Sequence, residues 1–175
     1  IAVHDALNTV EPRYVTYTDL AAADPSASPD AAVAAAASEA MLGLLAPVAD
    51  SPAKQAAIDA ILAAFDTTVG PEPYDAETEA GIDAGAAAAA AILALRTDDG
   101  SATPHVPYTE PPGPGVYQPT PNPEFPAQIT PSFEGWAFVT PFALRHGAQF
   151  EVGPGAIFDL TGAEYTEQYN QVKTV

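Results

Sequence analysis

A chain of 175 residues can bury a real core, so one domain is the default, and the lack of any cysteine removes disulfides, thiolate metal sites and thiol nucleophiles together. Twenty-three Asp and Glu against five Lys and Arg set a formal net charge of −18, which excludes nucleic acid as a partner and disfavours an anionic membrane surface, since both need clustered cations. The acids are scattered rather than blocked, a pattern that suits a salt-rich medium and an ordinary solvated surface alike.

The chain opens at Ile1 with neither an initiator Met nor a basic leader, so its start is expected to be cut and any address signal lost with it. Apolar residues at 3, 6, 7 and 10 predict a first helix over Ile1–Val10, stopped by Glu11-Pro12. Ser28-Pro29 reads as an N-cap followed by proline at the first helical position, opening a helix from Asp30 to about Ala46. Ser51-Pro52 repeats that signal and opens a third helix to about Phe65, with Ala57, Ile58, Ile61, Leu62 and Phe65 on one face. Asp75 caps the longest helix, which runs to about Arg96 with Glu77 and Glu79 near its positive end and Arg96 near its negative end. Thr161-Gly-Ala-Glu164 has the spacing of a capping box, with Leu160 and Tyr165 as a hydrophobic staple, and predicts a last helix from Thr161 to about Lys173. The fold class expected is all-α: about five helices, with a helical part over 1–102, a long Pro- and aromatic-rich strap over 103–160, and the last helix over 161–173.

The longest helix is alanine from Ala84 through Ala91 except at Gly85, so two turns of it have no polar face. A helix that is small and apolar all round is central, with neighbours packed close against it. The run Ala84–Leu95 is too short and too weakly hydrophobic to span a bilayer. In the strap, 11 of the 19 prolines fall between Pro104 and Pro141, interleaved with Tyr108, Tyr117, Phe125, Phe133, Trp136 and Phe138. Proline lacks a backbone donor and fixes φ, so this segment is not helix interior, and its rings set it apart from disordered linkers. An ordered, extended strap whose rings dock on the helices is expected. Pro119-Thr-Pro121 and Pro121-Asn-Pro123 lack the basic flank of a Pro-rich ligand for an aromatic groove.

Residues with chemistry to offer are few. His4, His105 and His146 do not pair with one another at metal-ligand spacing. His4 and Asp5 are adjacent on a helix, about 100° apart around its axis, and are not expected to form a dyad by themselves. Asp98-Asp99-Gly100-Ser101 lacks the alternating oxygens and the closing Glu of a calcium loop and reads as a polar helix stop. No serine sits in a nucleophile elbow and no Gly-rich turn is placed to cradle phosphate. Carboxylate pairs such as Glu77/Glu79 or Glu164/Glu167 carry no signal in so acidic a chain. No catalytic, cofactor-binding or metal-binding residue is assigned.

One resemblance adds to this reading. His4-Asp-Ala-Leu-Asn-Thr-Val-Glu-Pro-Arg-Tyr14, together with Ser28-Pro-Asp-Ala-Ala-Val33, resembles the N-terminal part of bacterial vanadium-dependent haloperoxidase-like proteins, of the type 2 phosphatidic acid phosphatase superfamily. Ala90-Ala-Ile-Leu-Ala-Leu-Arg-Thr-Asp-Asp-Gly100, Pro107-Tyr108, Val139-Thr-Pro-Phe-Ala-Leu144, Gln149-Phe150 and Tyr165 through Lys173 are similar to the same proteins, in the same order along the chain. The resemblance implies a helical bundle that grips vanadate, or a phosphate ester, with a Lys and two Arg, a Ser-Gly-His run and a final His. Fixed cations and donors would there neutralise a trigonal-bipyramidal centre. The centre would oxidise halide with peroxide in the haloperoxidases, whereas in the phosphatases the final His would be the nucleophile.

The chain departs from that pattern where the chemistry would be. Lys54 has no Arg-Pro seven residues later, Lys173 is followed by Thr174 and Val175 alone, and no His follows a Gly. The resemblance places those motifs after the last helix, beyond Val175. The expectation is therefore an N-terminal helical segment, inactive alone, whose partner is the remainder of its own polypeptide and whose cofactor in the whole enzyme is vanadate. A free-standing helical scaffold without catalysis and a Pro-rich adaptor are the alternatives.

Overall fold

Local capping sets the helix starts. In the computed structural model, which describes residues 1–104, 108–118, 124, 134–150 and 159–174, five α-helices and no strand are found among the described residues. They are α1 (Ala2–Val10), α2 (Pro29–Leu45), α3 (Pro52–Val69), α4 (Ala76–Arg96) and α5 (Ala163–Lys173). The Ser28 and Ser51 hydroxyls and the Asp75 carboxylate accept from the backbone N–H groups of Ala31, Lys54 and Thr78, each satisfying one of the donors a helix start leaves open. Helix α3 runs one turn past Phe65 because Thr67 and Thr68 bond back to Ala63 and Ala64, and Gly70, at φ 89°, closes it.

Two units divide the chain, residues 1–97 and 98–175. In the first, α2 and α4 form the most extensive contact, α1 packs on both, and α3 packs on α2. The core is alanine: Ala2, Ala6, Ala32, Ala36, Ala88 and Ala89, with Ile92. Alanines at this seam bring the helix axes close, and Gly81 and Gly85 bring α4 closer still, against the backbone of α2 at Ser28–Ala32 and Ala32–Ala36. Helix α4 has the length and composition of a membrane span, yet Gly81, Gly85, Ala88, Ala89 and Ile92 are buried against protein, as expected of a central helix. Helix α3 buries no residue fully. Ala57, Ile58, Ile61 and Phe65 are half-buried, and Leu62, expected on the same face, is 45% exposed.

The apolar spacing of α1 matches its inner face only in part: Ala6 is in the core and Val10 packs against it. Val3 is exposed and Leu7 and Val10 are half-buried, while Ala2, Asp5, Ala6, Asn8 and Thr9 are the buried residues. Three polar side chains thus occupy the inner stripe. Asp5 is the largest side chain that is fully buried among the described residues, at 0% exposure.

The second unit contains α5. Asp99 and Thr140 are joined by a backbone hydrogen bond of 2.8 Å, and Gly100, at φ 93°, turns the chain after α4. The strap is not extended throughout: Glu134–Phe138, which includes Trp136, forms a short 3-10 helix. Nor are its described rings buried. Tyr117, Trp136, Phe138, Phe142 and Phe150 are all more than half exposed. Tyr108 donates its hydroxyl to the Tyr117 carbonyl and packs edge-on against that ring at 5.7 Å. Phe125, Phe133, His105 and Pro119 through Pro123 lie outside the described residues.

The capping box expected at Thr161 does not form. Asp159 takes both the Thr161 N–H and its hydroxyl, at 3.0 and 2.7 Å, so that hydroxyl is turned away from the helix. Gly162 becomes the N-cap residue, without a side-chain cap, and α5 buries no residue.

Candidate functional site

The densest set of buried polar contacts lies where α1 meets the loop of residues 11–18. On a helix, positions 5 and 9 share a side with 2 and 6, so a fold that buries Ala2 and Ala6 also takes in Asp5 and Thr9, while Asn8 flanks Asp5 and is buried where the loop folds over it. Each needs a partner there. Asp5 Oδ1 accepts the Tyr17 N–H at 2.7 Å, and Oδ2 accepts both the Thr18 N–H at 2.7 Å and the Thr18 hydroxyl at 2.6 Å. Asn8 Oδ1 accepts the N–H groups of Arg13 and Tyr14, at 3.1 and 2.8 Å, while its amide donates to the His4 carbonyl at 2.8 Å. The Thr9 hydroxyl turns back onto the Ala6 carbonyl at 2.8 Å. His4 Nε2 lies 3.2 Å from the Val15 carbonyl, a distance that makes this nitrogen the protonated one. One turn of α1 therefore holds an entire loop by its backbone.

Burial raises the energy of the Asp5 carboxylate, but the Thr18 hydroxyl, the Tyr17 and Thr18 N–H groups and the nearby His4 ring outweigh it, so the group is held below the usual carboxylate range. Charge-assisted bonds of this length are among the strong ones. His4 and Asp5 come closer than their angular separation predicts: Nε2 and Oδ1 stand 3.9 Å apart, too long for a hydrogen bond and short enough for attraction when the ring is protonated. Both are drawn toward the same loop, which closes the angle. The pair serves the loop: both Asp5 oxygens are taken by Tyr17 and Thr18, and the His4 ring, 45% exposed, is placed between the Val15 carbonyl and the Asn8 amide.

Beside the clamp is an open cavity of about 440 Å³ lined by Thr9, Leu20, Asp24, Asp83, Ala84 and Ala87. Asp24 is spent on its own turn, accepting from the Ser26 N–H and hydroxyl at 2.8 and 2.7 Å, which lowers its pKa. In the second unit Ala137, Phe138, Leu144, Gly147, Ala148 and Phe150 line an apolar hollow of about 600 Å³.

The remaining candidates are scattered over structural duties. Lys54 reaches back to the end of α2, where its ammonium donates to the carbonyls of Val48 at 2.7 Å and Ala46 at 3.4 Å and pairs with Asp50 at 3.0 Å. This is a C-terminal cap supplied by the next helix, favourable for a cation at that pole. Arg13 pairs with Glu11 at 3.3 Å on the surface. His146 is exposed in a turn, its carbonyl accepting from Gln149 N–H. Asp99 folds onto the Ser101 N–H at 2.8 Å, the polar stop expected of this tetrapeptide. Glu77, Glu79, Glu164, Glu167 and Lys173 are exposed. Among the described residues no three His, Asp or Glu side chains converge to hold a metal ion.

Asn8 was the residue that sequence reasoning left out, and its signal was available. A small polar residue one turn after His4 and three positions after Asp5 asks for backbone partners once the chain folds over that flank of the helix. No known protein family, curated protein or solved structure matches this chain.

Proposed function

We propose that this chain is the N-terminal helical scaffold of a vanadium-dependent haloperoxidase-like protein, and that the oxyanion-binding residues lie in polypeptide C-terminal to Val175. The observation that carries the proposal is the duty found for the motif that bears the resemblance. Within His4 to Tyr14, the side chains His4, Asp5 and Asn8 all hold the backbone of the loop that follows, and Arg13 and Tyr14 are two of the residues held. A stretch of sequence devoted to fixing a loop is scaffold, and its residue types are set by that task rather than by a reaction.

Two of the five cations are already engaged elsewhere. Lys54 is committed to two carbonyls and Asp50, and Arg13 to Glu11. At a net charge of −18 the field of the chain repels vanadate and phosphate unless a cationic cluster overcomes it. A second support is the apolar surface left open: Trp136, Phe138, Phe142, Phe150 and Val172 are each more than half exposed, a surface suited to further helices of the same polypeptide.

The test is expression of the complete reading frame beside residues 1–175. The complete protein is expected to carry a Lys/Arg-Pro, Ser-Gly-His and Arg/His set and to oxidise bromide or chloride with peroxide only when vanadate is added. Hydrolysis of phosphate esters without such oxidation would move it to the phosphatase branch. Residues 1–175 alone should bind no vanadate by isothermal titration. Tight vanadate binding by that chain would overturn the division of labour, and a reading frame ending at Val175 would leave a free-standing scaffold in its place.

A further inference from the structure

The clamp on α1 has a mechanical property that follows from where its bonds go. Residues 12–18 are held to α1 through three of its side chains, and Asp5 alone accepts three of the hydrogen bonds. The chain on either side is anchored separately. Before the loop, Glu11 N–H bonds Leu7 carbonyl within the helix end; after it, Ala23 N–H bonds Thr9 carbonyl at 2.9 Å and Ser28 N–H bonds Glu77 carbonyl at 2.8 Å. Leu20 is packed against the alanine core. Detaching the loop therefore breaks none of the contacts between α1, α2 and α4.

Asp5 is the point where the loop can be let go. As a carboxylate it is acceptor-only and matches three donors. A proton on Oδ1 would set a donor against the Tyr17 N–H, and a proton on Oδ2 is accommodated only if the Thr18 hydroxyl turns to accept it, which leaves both backbone N–H groups bonded to a neutral carboxyl in place of a carboxylate and so weakens their hold. The charged groups around it add little control. Glu11, Arg13 and Asp19 of the loop, Asp30 and Glu39 of α2, and Glu77, Glu79 and Asp83 of α4 occupy exposed positions, and Arg96 is half-buried at the far end of α4. Among the described residues His4, at 3.9 Å, is the ionisable neighbour that acts on Asp5.

We propose that the 11–18 loop is an acid-released latch: protonation of Asp5 frees the backbone of Tyr17 and Thr18 while the α1–α2–α4 packing stays closed. The released segment is Arg13-Tyr-Val-Thr-Tyr17, whose Tyr14 and Val15 are already 74% and 91% exposed, so opening leaves the apolar seam covered and mainly frees the strip to move.

Residue-resolved amide hydrogen exchange tests this in the intact chain. Asp5→Asn puts an amide donor in place of one acceptor oxygen at neutral pH, where acid precipitation of so anionic a protein does not intervene. In that variant the protection of the Tyr17 and Thr18 amides should fall by about tenfold or more, the scale of one to two lost hydrogen bonds. Ala32, Ala36, Ala88 and Ala89 should keep theirs. Thr18→Val, which removes one donor and leaves the carboxylate satisfied by two N–H groups, should give a smaller loss confined to the same amides. In the unaltered protein, protection at Tyr17 and Thr18 should fall about tenfold per pH unit below the ordinary carboxylate value of about 3.9, ahead of any loss in α2 and α4. Loss of protection at the loop and the α2–α4 seam together, in Asp5→Asn or in the acid series, would overturn the latch. So would full retention at Tyr17 and Thr18 in Asp5→Asn. Should Asp5→Asn fail to fold, the acid series and Thr18→Val decide by the same criterion.

Discussion

Gly85→Ala is the sharpest probe of the seam between α2 and α4. A Cβ built at Gly85 collides with the Ala32 carbonyl oxygen and comes within 2.7 Å of both the Ala35 Cβ and the Ala36 nitrogen. Carbon atoms pack at about 3.5–4.0 Å, so the helices must part by roughly 1 Å, and the obstacles are backbone atoms that no rotamer change removes. Overpacking of this kind costs about 1–3 kcal/mol, and the rigid surroundings place this site at the upper end. Alanine returns about 1 kcal/mol through its better helix propensity. The net expectation is a loss of about 2 kcal/mol, which for a unit of 97 residues lowers Tm by about 8–16 °C. Gly43→Ala supplies the contrast. The Cβ there meets only the Leu93 side chain, which can rotate away, so gain and loss should cancel to within about 1 kcal/mol. Thermal unfolding followed by circular dichroism reads both. A Gly85→Ala protein as stable as the parent would show that α2 and α4 do not approach as closely as described.

Further predictions follow from the caps and the carboxylates. Ser51→Ala should cost about 1 kcal/mol in urea unfolding by leaving the Lys54 N–H without its acceptor. Thr161→Ala, by contrast, should leave the helix content of α5 unchanged by circular dichroism, because the Thr161 hydroxyl bonds Asp159 and caps nothing. Asp5, Asp24, Asp75 and Asp159 all titrate below their ordinary value in the folded chain: Asp5 because its hydrogen bonds outweigh burial, Asp24 through the Ser26 N–H, Asp75 through Thr78 and Asp159 through Thr161. Their stabilisation is therefore complete above the unfolded value of about 3.9 and is lost as pH falls through the folded values. The urea midpoint should decline steadily on acidification across that window, and a midpoint that rises there would contradict the assignment.

What could be read from the sequence divides along the range of the interactions. Ser28, Ser51 and Asp75 were legible as caps because each bonds an N–H three residues away, within the reach of a local rule. The same rule failed at Thr161, where Asp159, two residues earlier, competed for the hydroxyl and won with a charge-assisted bond. On α1 the apolar spacing at 3, 6, 7 and 10 announced the helix and brought Ala6 and Val10 to the core, but the burial of Asp5 was not legible, because its partners sit 12 and 13 residues downstream in a segment without regular structure. Nothing local announces such a pairing. The exposed rings of Trp136 and Phe138 defeated composition for a related reason: aromatic content implies burial only when a surface exists to receive it.

A seam built mostly of alanine also changes what this protein can tolerate over time. Alanine has no χ rotamers to freeze, so Ala32, Ala36, Ala88 and Ala89 enter the core with no loss of side-chain entropy, which offsets the modest hydrophobic gain of a single methyl. The other side of this is a one-way tolerance. A core of Leu and Phe can shrink at one site and grow at another, but a core of methyl groups can shrink only to glycine, and anything larger meets backbone. Drift at the alanine and glycine positions of α2 and α4 that face one another should therefore be confined to Ala, Gly and Ser while the outward positions vary freely, so that a set of related sequences would show the seam as a ladder of small residues ending at Ile92.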